Sequence, residues 1–240
     1  REMAPSGQCR RIAAPEAVQT AWERGAAVRD AVGDGIDIAV DFRGRVTKGM
    51  AKWTAAEMDE YDPMFYEEPL LPEHADSLPD IAAHSKTPLA SGERLYSRWE
   101  FGHILDERLV DIVQPDPSHA GGISETKKIA NTAEAADIQV ALHCPLGPIA
   151  FATCVQLDTA VHNTIAQAQN LDIHAPADNE HLAYLEEPDV FGFENGYVTA
   201  PDAPGLGIEI DESEVQTRSQ TGLGWQNPIW YHDDGSVAEW

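Results

Sequence analysis

Positive charge is what this 240-residue sequence has least of. Lys and Arg number 16 against 41 Asp and Glu, for a net charge of −25. A surface of that sign repels a phosphate backbone, which argues against nucleic-acid binding. The acids are spread along the chain, as in EIDESE and DDGS, and fit a solvated acidic surface of the kind halophilic proteins use. Cysteine is scarce too, at Cys9, Cys144 and Cys154. An odd number without CxxC spacing argues against a disulfide framework or a zinc knuckle and points to a reducing, cytoplasmic setting. No apolar run approaches the ~20 residues of a membrane span. The start, REMAPSGQCRR, has no apolar signal core. Neither GxGxxG nor GxxxxGK[ST] follows a strand, which disfavours a nucleotide site.

What is present is a run of apolar strands that each end in a polar residue. They are IDIAVDF ending near Asp41, MFYEEP with Glu67, PLASGE with Glu93, LVDIVQPD with Asp116 and QVALHC with His143. Consecutive members are roughly 25 residues apart, the length of one strand–loop–helix–loop unit in a (β/α)8 barrel. Helical spacing fills the intervals. PEAVQTAWERGAAVRDAV (15–32) places Val18, Trp22 and Val32 in register, with Pro15 suited to a first turn and the glycines after it to a stop. A second helix is expected from about Lys48 to Glu60, ended by Asp62-Pro63. EHADSLPDIAAHS, SRWEFGHILD, ISETKKIANTAEAAD and IAFATCVQLDTAVH read as further helices, and NTIAQAQN as a last, weaker strand.

The alternation predicts an α/β fold with a parallel sheet. Six strands are expected where a closed TIM-type barrel has eight, so the chain reads as a partial barrel lacking its first two strands. The alternative from pattern alone is an open doubly wound sheet. Residues 1–170 are read as the barrel part and 171–240 as a C-terminal segment. That segment is rich in turn residues, with a short β excursion in GYVTAPDAPGLGIEI and a tail, GWQNPIWYHDDGSVAEW, whose aromatics need a surface to bury against.

In a barrel the C-terminal strand ends share one mouth. Asp41, Glu67 and Glu93 then offer three carboxylates and no thiolate, a hard oxygen set that suits Mg²⁺. Asp116 can orient the His143 ring and raise its basicity. His119, His162, His174, His181 and His232 are read as structural. The set suggests removal of an α-proton next to a carboxylate, with the metal stabilising the resulting charge and His143 taking the proton.

The stretches DFRGRVTKGMAK, FYEEPLLPE, PLASGERLYSRWEF, VDIVQPDPSHAGGISETKKIA, ALHCPLGPIAFA, PGLGIEID and NPIWYHDDGSVAEW resemble the enolase superfamily in its mandelate racemase-like branch, and most closely its galactonate dehydratases. The resemblance implies a barrel of the (β/α)7β type, with Asp41, Glu67 and Glu93 as Mg²⁺ ligands, His143 as the base at C2 and Asp116 as its partner. It implies dehydration of a sugar acid to a 2-keto-3-deoxy acid, a small-molecule substrate, no membrane or nucleic-acid partner, and a homo-oligomer. Two positions and one missing segment depart from the family pattern. The general-acid His is here Arg43, whose guanidinium stays protonated and is a poor proton donor. The last strand's Glu is here Ala168, between Gln167 and Gln169, which on a strand point the other way. The capping domain that precedes the barrel is absent from the sequence, so the chain alone is expected to be marginal or to depend on a partner.

Overall fold

The computed structural model describes residues 15–171, 180–220, 231 and 235. Cys9, His174, His232 and most of the aromatic tail lie outside them. Among the described residues two compact units form, one from 15–94 with 102–112, 231 and 235, the other from 95–101 with 113–171 and 180–220.

In the first unit, helix α1 (Pro15–Val32) leads through a 3₁₀ turn to strand β1 (Ala39–Asp41). Arg29 ends α1 by donating to the carbonyls of Gly33 and Ile36, each at 2.8 Å, and to that of Tyr61 at 3.1 Å. Those bonds tie the last turn of α1 to the turn that follows it and to the segment before β2. Helix α2 (Lys48–Met58) starts at Thr47, whose hydroxyl accepts from the Met50 amide. Trp22 of α1 meets Trp53 of α2 edge to face at 5.5 Å. Val18 is buried as the helical spacing expects, whereas Val32 is exposed at the helix end. Strand β2 (Phe65–Glu67) follows, then helix α3 (Leu78–Ala82) and strand β3 (Leu89–Ser91). The stretch before α3 is a 3₁₀ segment, Pro72–Ser77, broken by non-helical backbone at His74. The single helix expected over EHADSLPDIAAHS is therefore divided. Pro79 adds to the division, because its ring has no amide to continue a preceding helix.

Strands β1, β2 and β3 pair in parallel, with Asp41 opposite Glu67 and Glu67 opposite Ala90. Buried Phe65, Tyr66, Leu89 and Ala90 supply the core there. The Tyr66 hydroxyl shares its one proton between Ala55 O in α2, at 2.8 Å, and Asp59 Oδ1, at 3.0 Å, which leaves its ring buried and its polar end satisfied.

Helix α4 (Arg98–Asp106), strand β4 (Ile112–Val113), helix α5 (Gly122–Ala135), strand β5 (Gln139–Val140) and helix α6 (Pro148–Asp158) complete the alternation, and the strands take sequence order in one sheet. Among the described residues five strands form, not six. The expected strand NTIAQAQN makes one parallel bridge, Thr164 to Val140. It extends no further because Gln167 turns its Nε2 onto Leu142 O and onto Ala168 O, so the strand alternation read for Gln167 and Gln169 does not apply. Phe191 is fully buried and meets Phe151 of α6 edge to face at 4.9 Å. The expected β excursion gives two isolated antiparallel bridges, Leu185–Ile210 and Glu194–Tyr197. Helix α7 (Glu212–Gln220) follows. No described helix is long and apolar enough to cross a membrane.

Candidate active site

Register places the first carboxylates. Asp41 and Glu67 close neighbouring strands, and Glu93 stands two residues beyond the end of β3. After Asp41 the chain turns sharply, with φ of +54° at Arg43 and +60° at Gly44. The turn is fastened by Phe42 N to Glu67 O at 2.9 Å and Gly44 N to Glu68 O at 2.7 Å. It also folds Arg43 back on the acid it follows. The Arg43 amide donates to Asp41 Oδ1 at 2.8 Å and its Nε to Oδ2 at 3.0 Å.

Burial pushes the Asp41 carboxyl above its ordinary value; Arg43 opposes the rise, and the negative charge of Glu93 adds to it. Asp41 and Glu93 are therefore close enough to repel, at a place where every expected donor is a carboxylate oxygen. That excess negative charge and oxygen-only donor set fit a hard divalent cation such as Mg²⁺.

The second group is built on β4, β5 and the segments that follow them. Asp116, 1% exposed, accepts from Ser118 N at 2.8 Å and pairs with His143 Nδ1 at 3.0 Å. His143 is anchored through its amide to Pro115 O, and its side chain is 16% exposed. Burial works to raise the Asp116 carboxyl, but hydrogen bonds from His143 and Ser118, with the neighbouring imidazoles, outweigh it and hold the group below its ordinary value. An ionised Asp116 accepting from Nδ1 assigns the proton to that nitrogen and the basic lone pair to Nε2.

His119, read from sequence as structural, sits in this group. Its ring lies 6.4 Å from that of His143 and meets Tyr96 edge to face. Ligand atoms of Asp116, His119 and His143 all fall within 4.8 Å of one another, a tightness that Asp41, Glu67 and Glu93 do not reach. The signal for His119 was local: the PDPSH turn closes through Asp116 O, which accepts the amides of His119 and Ala120.

Glu68 stands among these strand ends too, unmarked by the sequence pattern. Its side chain is fully buried and accepts four hydrogen bonds, from Ser91 Oγ, Gly92 N and Arg94 Nε and Nη2. The available signal was a second acid in FYEEP, inside an otherwise apolar strand end.

The family described as enolase C-terminal domain-like matches residues 7–214. Among similar proteins, the D-galactonate dehydratase of Variovorax paradoxus (strain S110) is 47% identical over 94% of this chain and 59% of its own length. That of Ralstonia pickettii (strain 12J) is 46% identical over 93% of the chain and 59% of its own length. This chain thus spans about 59% of these relatives. Among solved structures, a putative dehydratase from Salmonella enterica serovar Typhimurium superposes with a TM-score of 0.81 at 28% identity, covering 90% of this chain and 52% of that one. A mandelate racemase/muconate lactonizing enzyme from Sulfitobacter sp. gives 0.80 at 31%, again covering 90% and 52%. With the family matched over most of its length, the chain belongs to the enolase C-terminal domain-like proteins.

Proposed function

We propose that the chain carries the catalytic part of a Mg²⁺-dependent acid-sugar dehydratase acting on an aldonate such as D-galactonate. The observation that carries the reading is the 3.0 Å bond between His143 Nδ1 and buried Asp116. It is supported by the two relatives named as D-galactonate dehydratases. Asp41, Glu67 and Glu93 hold the metal, which when bound supplies positive charge for the substrate carboxylate. Asp116 keeps the imidazole oriented, and His143 Nε2 takes the C2 proton. The 3-hydroxyl leaves as water with a proton drawn from solvent, His143 returns the C2 proton to solvent, and the enol left behind ketonises to the 2-keto-3-deoxy acid. Arg43 holds its guanidinium on Asp41 and contributes charge rather than a proton. The protein works as a homo-oligomer in the cytoplasm.

Arg43 favours a second reading. A site with a base but without a good acid for the departing hydroxyl supports proton exchange or epimerisation at C2 more readily than elimination. Incubation with Mg²⁺ and D-galactonate in D₂O separates the two. Loss of the C2 proton signal together with 2-keto acid supports the dehydratase. Exchange without keto acid supports the racemase-type reaction. Neither, from folded protein with metal bound, overturns both and leaves an inactive paralogue.

A further inference from the structure

Glu68 follows a proposed metal ligand in sequence, yet its carboxylate is committed elsewhere. Oε1 accepts from Ser91 Oγ at 2.6 Å and Gly92 N at 2.9 Å; Oε2 accepts from Arg94 Nε at 3.0 Å and Nη2 at 2.6 Å. A carboxylate has about four lone-pair positions, so its accepting capacity is filled and Glu68 is not itself a ligand. Its donors flank Glu93: Ser91 and Gly92 precede it and Arg94 follows it.

The main chain of the same residue ties the other two strand ends. Glu68 N donates to Ala90 O at 2.9 Å, and Gly44 N donates to Glu68 O at 2.7 Å. Its backbone is left-handed, φ +44°, a conformation costly for a residue with a side chain and kept only where surroundings hold it. Gly44 shows how close the fit is: a Cβ there would come within 2.6 Å of Arg94 Nη2.

We infer that Glu68 is a positioning residue: by gripping the backbone and side chains on both sides of Glu93, and the turn after Asp41, it fixes the spacing of the three carboxylates and so the site's affinity for a divalent cation. The inference rests on the reading that Asp41, Glu67 and Glu93 hold that cation. A purely structural role for the buried Glu68–Arg94 pair would affect folding alone.

Mn²⁺ serves as the probe, titrated by calorimetry and followed by the electron paramagnetic resonance linewidth of the bound ion, in the wild-type chain, Glu67→Gln and Glu68→Gln. Glu68→Gln is expected to weaken Mn²⁺ binding about 10- to 100-fold, as loss of an outer partner of a metal ligand does, and to change the linewidth. Should Glu68→Gln not fold, Ser91→Ala leaves the ion pair and removes one bond, with an expected loss of about fivefold. Lowered melting temperature with unchanged Mn²⁺ affinity and linewidth, in whichever variant folds, overturns the inference while the metal reading stands. Failure of the wild-type chain to bind Mn²⁺, or binding undiminished in Glu67→Gln, overturns the metal reading and this inference with it.

Discussion

The strand ends of the two units handle charge in opposite ways. In the first, four acids (Asp41, Glu67, Glu68 and Glu93) meet two guanidinium groups, and the fully buried Glu68 is neutralised by Arg94 while Asp41 is held by Arg43. In the second, one buried acid serves two imidazoles, and among the described residues no arginine is bonded to it. Permanently charged groups hold position and field but do not exchange protons near neutrality, whereas an imidazole backed by a carboxylate does. On the proposed reading the carboxylates of the first assembly hold an ion, and the second assembly moves a proton.

That division breaks most visibly at His143. His143→Asn is expected to slow C2 proton exchange by about 10²–10⁴-fold, the range a positioned base contributes, and to leave Mn²⁺ affinity unchanged. Deuterium exchange by NMR and calorimetry read the two quantities. An equal loss of metal binding would instead assign the ion to Asp116, His119 and His143, whose nitrogen-rich donors suit a transition metal better than Mg²⁺. Asp116→Asn comes next, at about 10-fold or more in exchange rate, because the ring keeps a neighbour but loses the anion that orients it and supports its charged form.

Much of this contrast was legible in the sequence. Apolar runs ending in Asp41, Glu67 and Glu93 name the strand ends, and parallel order then makes them neighbours. Helix α1 was readable from Pro15 and the glycines after Val32. Glu68 and His119 were not. Which acid of the Glu67–Glu68 doublet is committed to Arg94 is decided by a left-handed backbone and by donors 23–26 residues away, neither of which leaves a periodic trace. His119 joins its group through a turn whose closure depends on Asp116 O. Phe191 is as buried as any barrel residue, but it lies in a turn-rich stretch where alternation fails and only contact with Phe151 gives it meaning. Helix α7 escaped because ESEVQTRSQ has no apolar stripe to read.

Asp59, also in the first unit, is a carboxylate whose acceptor positions are taken by protein donors. Asp59 accepts from Tyr66 Oη at 3.0 Å, Ser85 Oγ and Thr87 Oγ1 at 2.7 Å each, and Lys86 N at 3.0 Å, tying the end of α2 to β2 and to the entry of β3. Burial acts to raise its carboxyl, and the hydrogen bonds from Thr87, Ser85, Lys86 and Tyr66 more than reverse that, leaving it below the ordinary carboxylate value. The stability it contributes is thus complete above the unfolded value, about pH 4, and is lost as pH falls through the lower folded value. Asp59→Asn should cost about 2 kcal/mol in urea denaturation at pH 7, because donors lose a charged acceptor. The gap should close as both proteins are taken to acid. A gap that persists unchanged there would mean the bonds act through shape and not through charge.

The smallest effect is expected where geometry alone would suggest a large one. Lys48 Nζ lies 2.7 Å from Asp80 Oδ2, nearly the separation of Arg94 from Glu68, yet both side chains are about half exposed. Water and salt screen such a pair, and holding two flexible side chains together offsets much of the remaining attraction. Lys48→Met should leave both the urea midpoint and Mn²⁺ affinity indistinguishable from wild type. Glu68→Gln, at a matching distance but in a fully buried site, should move both. If the exposed pair mattered as much as the buried one, distance rather than burial would set the strength of charge pairing in this unit, and the contrast between an ion-holding and a proton-moving assembly would lose its electrostatic basis.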